Sequence, residues 1–578
     1  MATDSRRGRV RNAFERYGVD LEAIEDWFQY ALIIFIGLAT TIPLGILVVQ
    51  AISDGSILQS FTFEFSMANF SEAFSEPTFY DAIKNTFIFS LGSVVMAHLL
   101  GFTFAFILTR LEVPHSGKFH TLMFLPIFVS PLVLSLGFSF SFTRGGYYHW
   151  VFDQIGTSFQ INNVYGMVFI SSIWLTPFAY SFISAGLQNI DPEMEDAARI
   201  TGAKDWKVLT DVSIPLLKPF ALSSIFLTIL LSFQEISIPA ILGMPDQIYV
   251  LSTYLLGLES STVPPPYGKM AAVGVVMVAF SLTIVFAISW IIGDVSKYTV
   301  ITGRGRERTI HTSKPVQYGA AGFLSAYLIL FLGVPLFQIL SVGITEATNI
   351  APITALADLS GAHFEELGSR DSFRTAIKNT VMIALITASV SVVLTGVISY
   401  IINRVEGITS ELLGAVAWIP ISTPGVVLGL AYLWTVLVFD VGLYGTVIVL
   451  GVAFFVRFLA LGVRMNNSLI SQQAEELDEQ AKICGATMFS RLAKIIFPNA
   501  KNGMMSAWVI LFTIFMTELS TSIFLYTSSS RVITVTIFEL WQTAQYGALG
   551  ALSIVQVGIT FTVVFSMITL FDIDISAV

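Results

Sequence analysis

Residues 193–203 read Glu-Met-Glu-Asp-Ala-Ala-Arg-Ile-Thr-Gly-Ala, and residues 476–486 read Glu-Leu-Asp-Glu-Gln-Ala-Lys-Ile-Cys-Gly-Ala. One shift of 283 positions relates the two stretches without a gap, and the same shift pairs Pro215 with Pro498. Both polar stretches lie between long apolar runs. Because two such copies in register rarely arise by chance, the sequence predicts two repeats of one structural unit.

The composition is that of an integral membrane protein. Of the 578 residues, 54% are hydrophobic and 12% are charged, whereas soluble domains contain about 25% charged residues. The mean hydropathy is +0.75. The single cysteine, Cys484, excludes an intrachain disulfide. The six histidines lack the paired spacing of a metal site, so no metal is predicted.

Apolar stretches of about 20 residues, long enough for a helix to cross a bilayer core, recur along the whole chain. The predicted spans are 28–51, 84–109, 120–142, 164–187, 219–243 and 270–293, followed by 317–343, 378–402, 412–438, 441–463, 504–528 and 549–571. The sequence therefore predicts an all-α integral membrane protein with twelve transmembrane helices, arranged as two parallel six-helix repeats.

Charged residues between the spans predict the orientation. The N-terminal segment is rich in arginine and the linker 294–316 holds five basic residues, whereas loop 52–83 has five acidic residues and no lysine or arginine. By the positive-inside rule both basic segments are predicted in the cytoplasm. Acidic loops 52–83 and 344–377 are predicted outside, where they either attract a cationic solute or are simply solvated. The predicted domains are the cytoplasmic segment 1–27, the first half 28–293, the linker 294–316 and the second half 317–572.

The repeat extends beyond the two polar stretches. Residues 79–86 (Phe-Tyr-Asp-Ala-Ile-Lys-Asn-Thr) match 373–380 (Phe-Arg-Thr-Ala-Ile-Lys-Asn-Thr) by a shift of 294. Each half has an even number of predicted spans, so both copies have the same orientation. Parallel repeats are related by an axis along the membrane normal, and the pathway lies where the halves meet. Both polar hairpins are thereby predicted on the cytoplasmic face.

Each hairpin, 190–218 and 471–501, predicts two short helices joined by a tight turn. Capping residues, left-handed glycines and helix-ending prolines supply the boundaries. The expected boundary residues are Asp191, Gly202 and Pro215 in the first hairpin and Ser471, Gly485 and Pro498 in the second.

At these residues the chain resembles the permease subunits of binding-protein-dependent ABC importers. Their signature is Glu-Ala-Ala, three residues, Gly, nine residues, then Ile-x-Leu-Pro; here Asp196 replaces the Glu and Gln480 replaces the first Ala. The resemblance implies that each hairpin is a coupling helix that docks into a groove on an ATPase subunit. The residues it implicates are Glu193, Glu195, Asp196, Ala197, Ala198 and Gly202, and Glu476, Asp478, Glu479, Ala481 and Gly485.

The same resemblance implies the partners. They are two copies of an ABC ATPase in the cytoplasm, an extracytoplasmic solute-binding protein and the lipid of an inner or plasma membrane, with no nucleic acid. The sequence contains no Gly-x-x-x-x-Gly-Lys-Ser/Thr loop. ATP and Mg are therefore expected on the partner ATPases, and this chain is expected to hold no cofactor and to be no enzyme by itself.

Two carboxylates lie within predicted spans at equivalent positions. Glu235 and Glu518 are 283 residues apart. Acidic residues are costly inside a membrane and favour a functional interpretation. The two carboxylates either face each other across the pseudo-two-fold axis and attract or pass a cation, or are satisfied by Ser and Thr neighbours and serve packing.

Paired prolines also recur at matching depth. Pro126 and Pro131 in the first half correspond to Pro420 and Pro424 in the second. Each pair is predicted to break its span, which either frees backbone carbonyls to line a cavity or merely kinks the helix for packing.

The sequence indicates the transported solute less clearly than the type of transporter. Two fused halves in one chain are most similar to iron(III) permeases, and residues 516–525 resemble a segment common in them, with Thr517 for Lys and Ser520 for Pro. The resemblance implies ferric iron, with thiamine, a polyamine or another small solute as alternatives. A secondary transporter driven by an ion gradient also explains the span count and the repeat, but not the doubled hairpins.

Overall fold

The computed structural model describes residues 21–54, 64–292, 313–345, 359–440 and 442–571. The first 20 residues, most of the basic linker and parts of both acidic loops lie outside the described residues. The orientation of the chain therefore stays a prediction. The described part is helical, with isolated bridges between Ser53 and Phe65 and between Thr345 and Leu359 as its only extended pairing.

The helices of the first half follow one another with short connections. They are α1 Leu21–Ala51, α2 Ala68–Ser75, α3 Pro77–Arg110, α4 Ser116–Leu122, a 3-10 turn Leu125–Phe128, α5 Pro131–Phe142, α6 Tyr147–Gln154, α7 Val164–Asn189, α8 Pro192–Ile200, α9 Asp205–Val208, a π turn Leu209–Ser213, α10 Ile214–Phe233, α11 Ser237–Leu242, a 3-10 turn Met244–Asp246, α12 Leu251–Glu259 and α13 Tyr267–Ile292.

The second half repeats this order. Its helices are α14 Lys314–Leu328, a π turn Ile329–Gly333, α15 Val334–Gly343, α16 Ala362–Ser369, α17 Asp371–Arg404, α18 Ile408–Trp418, a 3-10 turn Ile419–Ser422, α19 Gly425–Phe439, α20 Val447–Arg457, α21 Leu459–Ser471, α22 Glu475–Ile483, α23 Met488–Arg491, a π turn Leu492–Ile496, α24 Phe497–Thr517, α25 Ser522–Leu525, α26 Ile533–Gln542 and α27 Tyr546–Phe571.

Matching lengths confirm the internal repeat. Helices α3 and α17 have 34 residues each, α8 and α22 have 9 each, and α13 and α27 have 26 each. The first half contains an extra helix, α6, between α5 and α7, where the second half has only the short segment 440–446. This extra helix explains why the shift between the halves falls from 294 to 283.

The number of apolar helices agrees in part with the twelve predicted spans. Among the described residues, 8 helices are long and apolar enough to cross a membrane, or 11 if each of three bent pairs is one span. Helix α24 lies outside this count. Since α24 is the counterpart of α10, which is part of the counted helix Trp206–Phe233, twelve crossings remain the prediction.

Three predicted spans are sharply bent. The segment Ser116–Phe128 meets Pro131–Gln154 at 91°, and Ile408–Ser422 meets Gly425–Phe439 at 107°. The breaks coincide with the predicted proline pairs, because proline lacks the N–H that would continue the helix. The span predicted at 441–463 begins only at Val447 and continues to Ser471 with a 54° bend.

The prediction that Pro215 and Pro498 end a helix was wrong. The chain stays helical through both, and a π turn directly precedes Ile214-Pro215 and Phe497-Pro498. A third π turn precedes Val334-Pro335. A proline ring crowds the carbonyl four residues earlier, and one widened turn accommodates this without a break.

The repeated Ile-Lys-Asn-Thr motif fastens a connection in each half. Asn379 Nδ2 donates to the carbonyls of Ser529 and Arg531, both at 3.0 Å. The hydroxyl of Thr380 accepts from the N–H of Ile533 at 2.8 Å. In the first half Asn85 donates to the Tyr249 carbonyl at 3.0 Å, and Thr86 accepts from Leu251 at 2.8 Å. The motif thus holds the start of α26 in the second half and the start of α12 in the first half.

The first span of each half packs against the other half. Helix α1 lies on α18 and α19, and α15 lies on α5. Tyr432 of α19 donates its hydroxyl to the Ala39 carbonyl of α1 at 2.7 Å. The N–H of Tyr147 at the start of α6 donates to Gln338 Oε1 of α15 at 3.2 Å. The two repeats therefore form one interlocked bundle.

Removing the Asn379 clamp should destabilise the protein. Asn379→Ala removes a buried amide that donates two hydrogen bonds, so we expect a loss of about 1–3 kcal/mol in the free energy of unfolding and a lower melting temperature in detergent. Asn189→Ala is the matched control, because the exposed Asn189 amide donates to a carbonyl of its own helix and to no other group among the described residues. Equal melting temperatures for the two variants would contradict the clamp.

Candidate functional site

The first hairpin begins and turns as its sequence predicts. The Asp191 carboxylate caps α8 by accepting from the N–H of Glu193 at 2.9 Å, and Pro192 occupies the first helical position. After Ile200 the chain turns at Gly202, whose φ of +89° favours glycine. The N–H of Gly202 bonds the Arg199 carbonyl at 2.9 Å, and the next N–H bonds Ala198 at 3.1 Å, a Schellman motif.

The second hairpin has the same turn but a different beginning. Gly485 has a φ of +76°, and its N–H bonds the Lys482 carbonyl at 2.9 Å. The expectation that Ser471 caps this helix was wrong, because α21 continues to Ser471 and α22 begins after Ala474 without a side-chain cap. The acidic first turn of α22 still complements the positive end of the helix.

The carboxylate of Glu195 points into the protein. The side chain is only 5% exposed, and Oε1 accepts from Arg110 Nη2 and from Ser213 Oγ, both at 2.9 Å. Arg110 is the last residue of α3 and also donates to the Leu187 carbonyl at 3.3 Å. This buried pair ties the hairpin helix α8 to a long span.

Asp478, the counterpart of Glu195, is buried to the same degree but held differently. Its side chain is 6% exposed. The Tyr400 hydroxyl donates to it at 3.0 Å and 3.2 Å from the two carboxylate oxygens, and Arg491 Nε lies 3.6 Å away. The guanidinium of Arg491 also stacks over the Tyr400 ring, 5.8 Å from its centroid. Both hairpin helices therefore carry an anchored acid on the inner side.

Arginine 404, the counterpart of Arg110, anchors the chain just ahead of α22. It donates to the Gln473 carbonyl at 2.6 Å and lies 3.4 Å from the carboxylate of Glu475. The arginine that ends each long span, α3 or α17, thus holds a hairpin in both halves.

The outer faces of the hairpins are exposed and apolar. Ile200 is 87% exposed and its counterpart Ile483 is 86% exposed. Two further equivalent pairs of large exposed side chains are Met194 with Leu477 and Trp206 with Phe489. Of the residues that the signature implicates, Glu193, Ala197, Gly202, Glu476, Glu479 and Gly485 are exposed, and Asp196, Ala198 and Ala481 are half-buried.

A cavity of about 270 Å³ lies beside the first hairpin, lined among others by Phe106, Trp206 and Val208. At the equivalent positions of Phe106 and Val208 the second half has Tyr400 and Arg491. These are the two side chains that hold Asp478.

The predicted spans 219–243 and 504–528 end early, directly before Glu235 and Glu518. Helix α10 ends at Phe233 and α24 ends at Thr517. Glu235 Oε1 accepts from the N–H of Ser237 at 2.7 Å, and Glu518 Oε1 accepts from that of Thr521 at 2.9 Å. Each carboxylate therefore lies at a helix break and caps the turn that follows.

Glu518 also forms a buried ion pair with Arg457 of α20. Arg457 Nη1 donates to the Thr521 hydroxyl as well, at 3.1 Å. The guanidinium fills the space over Gly425, where an added Cβ would lie 2.1 Å from Nη1. Glu235 interacts electrostatically with both Glu518 and Arg457, so the structure brings together the two predicted carboxylates, one from each half.

The halves meet again nearer the hairpins. The guanidinium of Arg464 lies over the Phe182 ring, 5.8 Å from its centroid. Arg464 lies on α21 and Phe182 on α7, which are counterparts, and the shift of 283 relates Arg464 to Ser181, next to Phe182. This contact joins near-equivalent positions of the two halves.

The four predicted prolines are all buried at the bends. Pro126 and Pro420 lie in the two 3-10 turns, Pro131 begins α5, and Pro424 directly precedes α19. Across the halves, the amide of Gln234 donates to the Ile421 carbonyl at 3.0 Å. The second bend thus offers a freed carbonyl to the other half.

Sequence reasoning missed Arg457 and Arg464. Both lie in apolar helices, where a charged residue by itself signals function or pairing, and that signal was available. Their counterparts in the first half are Trp174 and Ser181, so the repeat did not mark them. Among the described residues, no group of three or more His, Cys, Asp or Glu could hold a metal ion.

Breaking the buried Arg457–Glu518 pair should be costly. Arg457→Met or Glu518→Gln leaves one charge buried without its partner, and we expect each to lower the free energy of unfolding by about 3–5 kcal/mol. The double variant should lose clearly less than the sum, measured as a thermal-unfolding cycle. The exposed pair Arg374–Asp371 is the control, where little change is expected; additive losses at Arg457 and Glu518 would contradict the pairing.

The whole chain resembles known transport proteins. The family model described as "Binding-protein-dependent transport system inner membrane component" matches twice, over residues 99–297 and 392–575. The chain is 24% identical over 504 residues to the "Ferric transport system permease protein FbpB" of Actinobacillus pleuropneumoniae, which covers 85% of this chain and 70% of that protein.

Two further relatives cover different shares of the chain. It is 22% identical over 522 residues to the "Fe(3+)-transport system permease protein FbpB 2" of Haemophilus influenzae, covering 89% of this chain and 93% of that protein. It is 29% identical over 201 residues to "Sulfate permease 2, chloroplastic" of Chlamydomonas reinhardtii, covering 34% and 50%. The two family matches fall on the two halves that the hairpins predict, and the chain belongs to the family of inner membrane components of binding-protein-dependent transport systems.

Proposed function

We propose that the chain is the fused permease of an ATP-driven importer, in which α8 and α22 are coupling helices for two ATPase subunits. The exposed apolar pair Ile200 and Ile483 carries this proposal. Each hairpin exposes at least three large apolar side chains, and groups of exposed apolar side chains mark sites of protein–protein contact. The two copies offer one such surface to each ATPase.

The buried acids serve docking indirectly. Glu195 and Asp478 are held inside the protein by hydrogen bonds and ion pairs, so their carboxylates position the coupling helices. The exposed residues Glu193, Glu476 and Glu479 remain available to a partner. This divides the implicated residues into an anchoring side and a docking side.

The pathway runs where the halves meet, between twelve predicted crossings with both termini in the cytoplasm. Glu235 and Glu518 are counterparts and lie within electrostatic range of each other. The guanidinium of Arg464 lies over Phe182, the residue next to Ser181, which is the counterpart of Arg464. A contact between near-equivalent positions lies close to the pseudo-two-fold axis, where parallel repeats place their path. Solute is delivered to the outer end by an extracytoplasmic binding protein.

Ferric iron is the solute that the relatives favour. The two ferric permeases match 85% and 89% of this chain, whereas the sulfate permease matches 34%. Uptake of ferric iron into vesicles that contain the permease, its ATPase and an iron-loaded binding protein tests the assignment. Stimulation by a binding protein loaded with thiamine or a polyamine, and not with iron, would replace ferric iron by that solute.

Charging the docking surface should release the ATPases. Ile200→Asp together with Ile483→Asp places a carboxylate in an apolar contact, so we expect ATPase association at least about tenfold weaker with an unchanged melting temperature. Co-purification of the ATPase with the solubilised permease measures this. Gln472→Asp, also exposed but outside the apolar face, is the control; normal association of the double variant would contradict the docking assignment.

Glu235 is the carboxylate best suited to test the pathway. Glu518 is paired with Arg457, whereas Glu235 bonds only Ser237 through its carboxylate among the contacts of the described residues. Glu235→Gln keeps an oxygen for that bond and removes the ionisable carboxyl group, so uptake should fall at least about tenfold while assembly and melting temperature stay normal. Wild-type uptake by this variant would leave Glu235 with a packing role.

A further inference from the structure

The second hairpin is held by a helix that belongs to the other half of the chain. The carboxylate Oε1 of Glu25, in the second turn of α1, accepts from the N–H of Met488 at 2.6 Å. Met488 is the first residue of α23, the second short helix of that hairpin. A contact between residues 25 and 488 joins the beginning of the first half to the cytoplasmic hairpin of the second.

A ring contact one helical turn later reinforces this bond. Phe28 and Phe489 are arranged edge to face, with centroids 5.1 Å apart and ring planes at 72°. Glu25 and Phe28 are three residues apart and so lie on one face of α1. Glu25 is also in electrostatic range of Tyr400, the residue that holds Asp478. The contact therefore adjoins the anchor of the coupling helix itself.

The contacts described for the first hairpin are different. Ile42-Pro43-Leu44 of α1 corresponds to Val334-Pro335-Leu336, a shift of 292 that places Gln317 at the position of Glu25. The amide of Gln317 donates to Glu112 at 3.1 Å, a residue in the connection between α3 and α4. Trp206, the counterpart of Phe489, is 70% exposed, whereas Phe489 is 42% exposed.

We propose that Glu25 and Phe28 are positioning residues that tie the second coupling hairpin to the first span, so that the two hairpins transmit movement unequally. Helix α1 packs on α18 and α19 of the second half and on α13 of the first. Movement of α23 therefore reaches both halves through α1. The first hairpin is anchored through Arg110 and Ser213, both of its own half.

This inference rests on the proposed coupling function, and the chain offers a probe for testing the two separately. Cys484 is the only cysteine, is exposed and lies at the end of the second coupling helix. Its counterpart by the shift of 283 is Thr201, at the end of the first. A spin label on Cys484 reports on the second hairpin, and a label on Thr201→Cys in a Cys484→Ser background reports on the first.

The experiment compares Glu25→Ala/Phe28→Ala with the wild-type chain, in the full complex with its ATPase. We expect the label at position 484 to become more mobile and the label at position 201 to stay unchanged. ATP hydrolysed per solute imported should rise about fivefold, the factor expected for losing one helix-capping hydrogen bond. Glu25→Gln should behave like wild type because its amide oxygen still accepts, and Gln317→Ala should leave the label at position 484 unaffected.

The possible outcomes separate the two ideas. Unchanged mobility at position 484 in Glu25→Ala/Phe28→Ala, or equal changes at both labels, overturns the tie between α1 and the second hairpin. If neither label responds to addition of the ATPase in the wild-type chain, the coupling assignment itself fails. Should the double variant not assemble, Glu25→Ala alone gives the same comparison with the ring contact retained.

Discussion

A carboxylate buried beneath each hairpin helix is the constraint on which the rest of the proposed machinery depends. A polar helix between two apolar spans has no core of its own, and its orientation is fixed only by what its inner side binds. Glu195 and Asp478 supply this fixed side, at equivalent positions and with 5% and 6% exposure. Because removing a partner from a buried charge costs several kcal/mol, each hairpin is held in one orientation. The apolar residues Ile200 and Ile483 can then stay exposed instead of packing against the rest of the protein.

The two halves meet the same requirement with different residues. In the first half the acid pairs with an arginine of a long span, whereas in the second it is held by Tyr400 and by Arg491 of its own hairpin. The charged residues where the halves meet also differ between the halves, because the second half has Arg457 at the position where the first half has Trp174. In a fused chain each half always packs against the other half, so the two halves can have different residues at equivalent positions. Two identical subunits would have to keep both surfaces equal.

The repeat, the helical class and the short hairpin helices were predictable because they depend on spacing and local chemistry. Gly202 and Gly485 mark left-handed turns, and Asp191 a cap, whatever surrounds them. The bends at the proline pairs were also predictable, but their sharpness of 91° and 107° was not. The π turns before Pro215 and Pro498 were missed because a proline within a helix either breaks it or is accommodated, and only the tertiary packing decides between these outcomes. The partners of Glu195 and Glu518 lie 85 and 61 residues away in sequence, beyond the reach of any local pattern.

The distribution of charge between the halves bears on how a cation could pass. Glu518 is paired with Arg457, so Glu235 is the carboxylate of this cluster that has no ion-pair partner among the described residues. Arg464 lies two helical turns before the end of α21, and hence nearer the second hairpin. A bare cation at Glu235 would meet the guanidinium of Arg464 on its way inward, and in a medium of low dielectric constant the repulsion between them is strong. Passage then requires the halves to move Arg464 away from Phe182, or the cation to carry a neutralising ligand. The first of these is the kind of movement that two anchored hairpins would produce under the proposed coupling to ATPases.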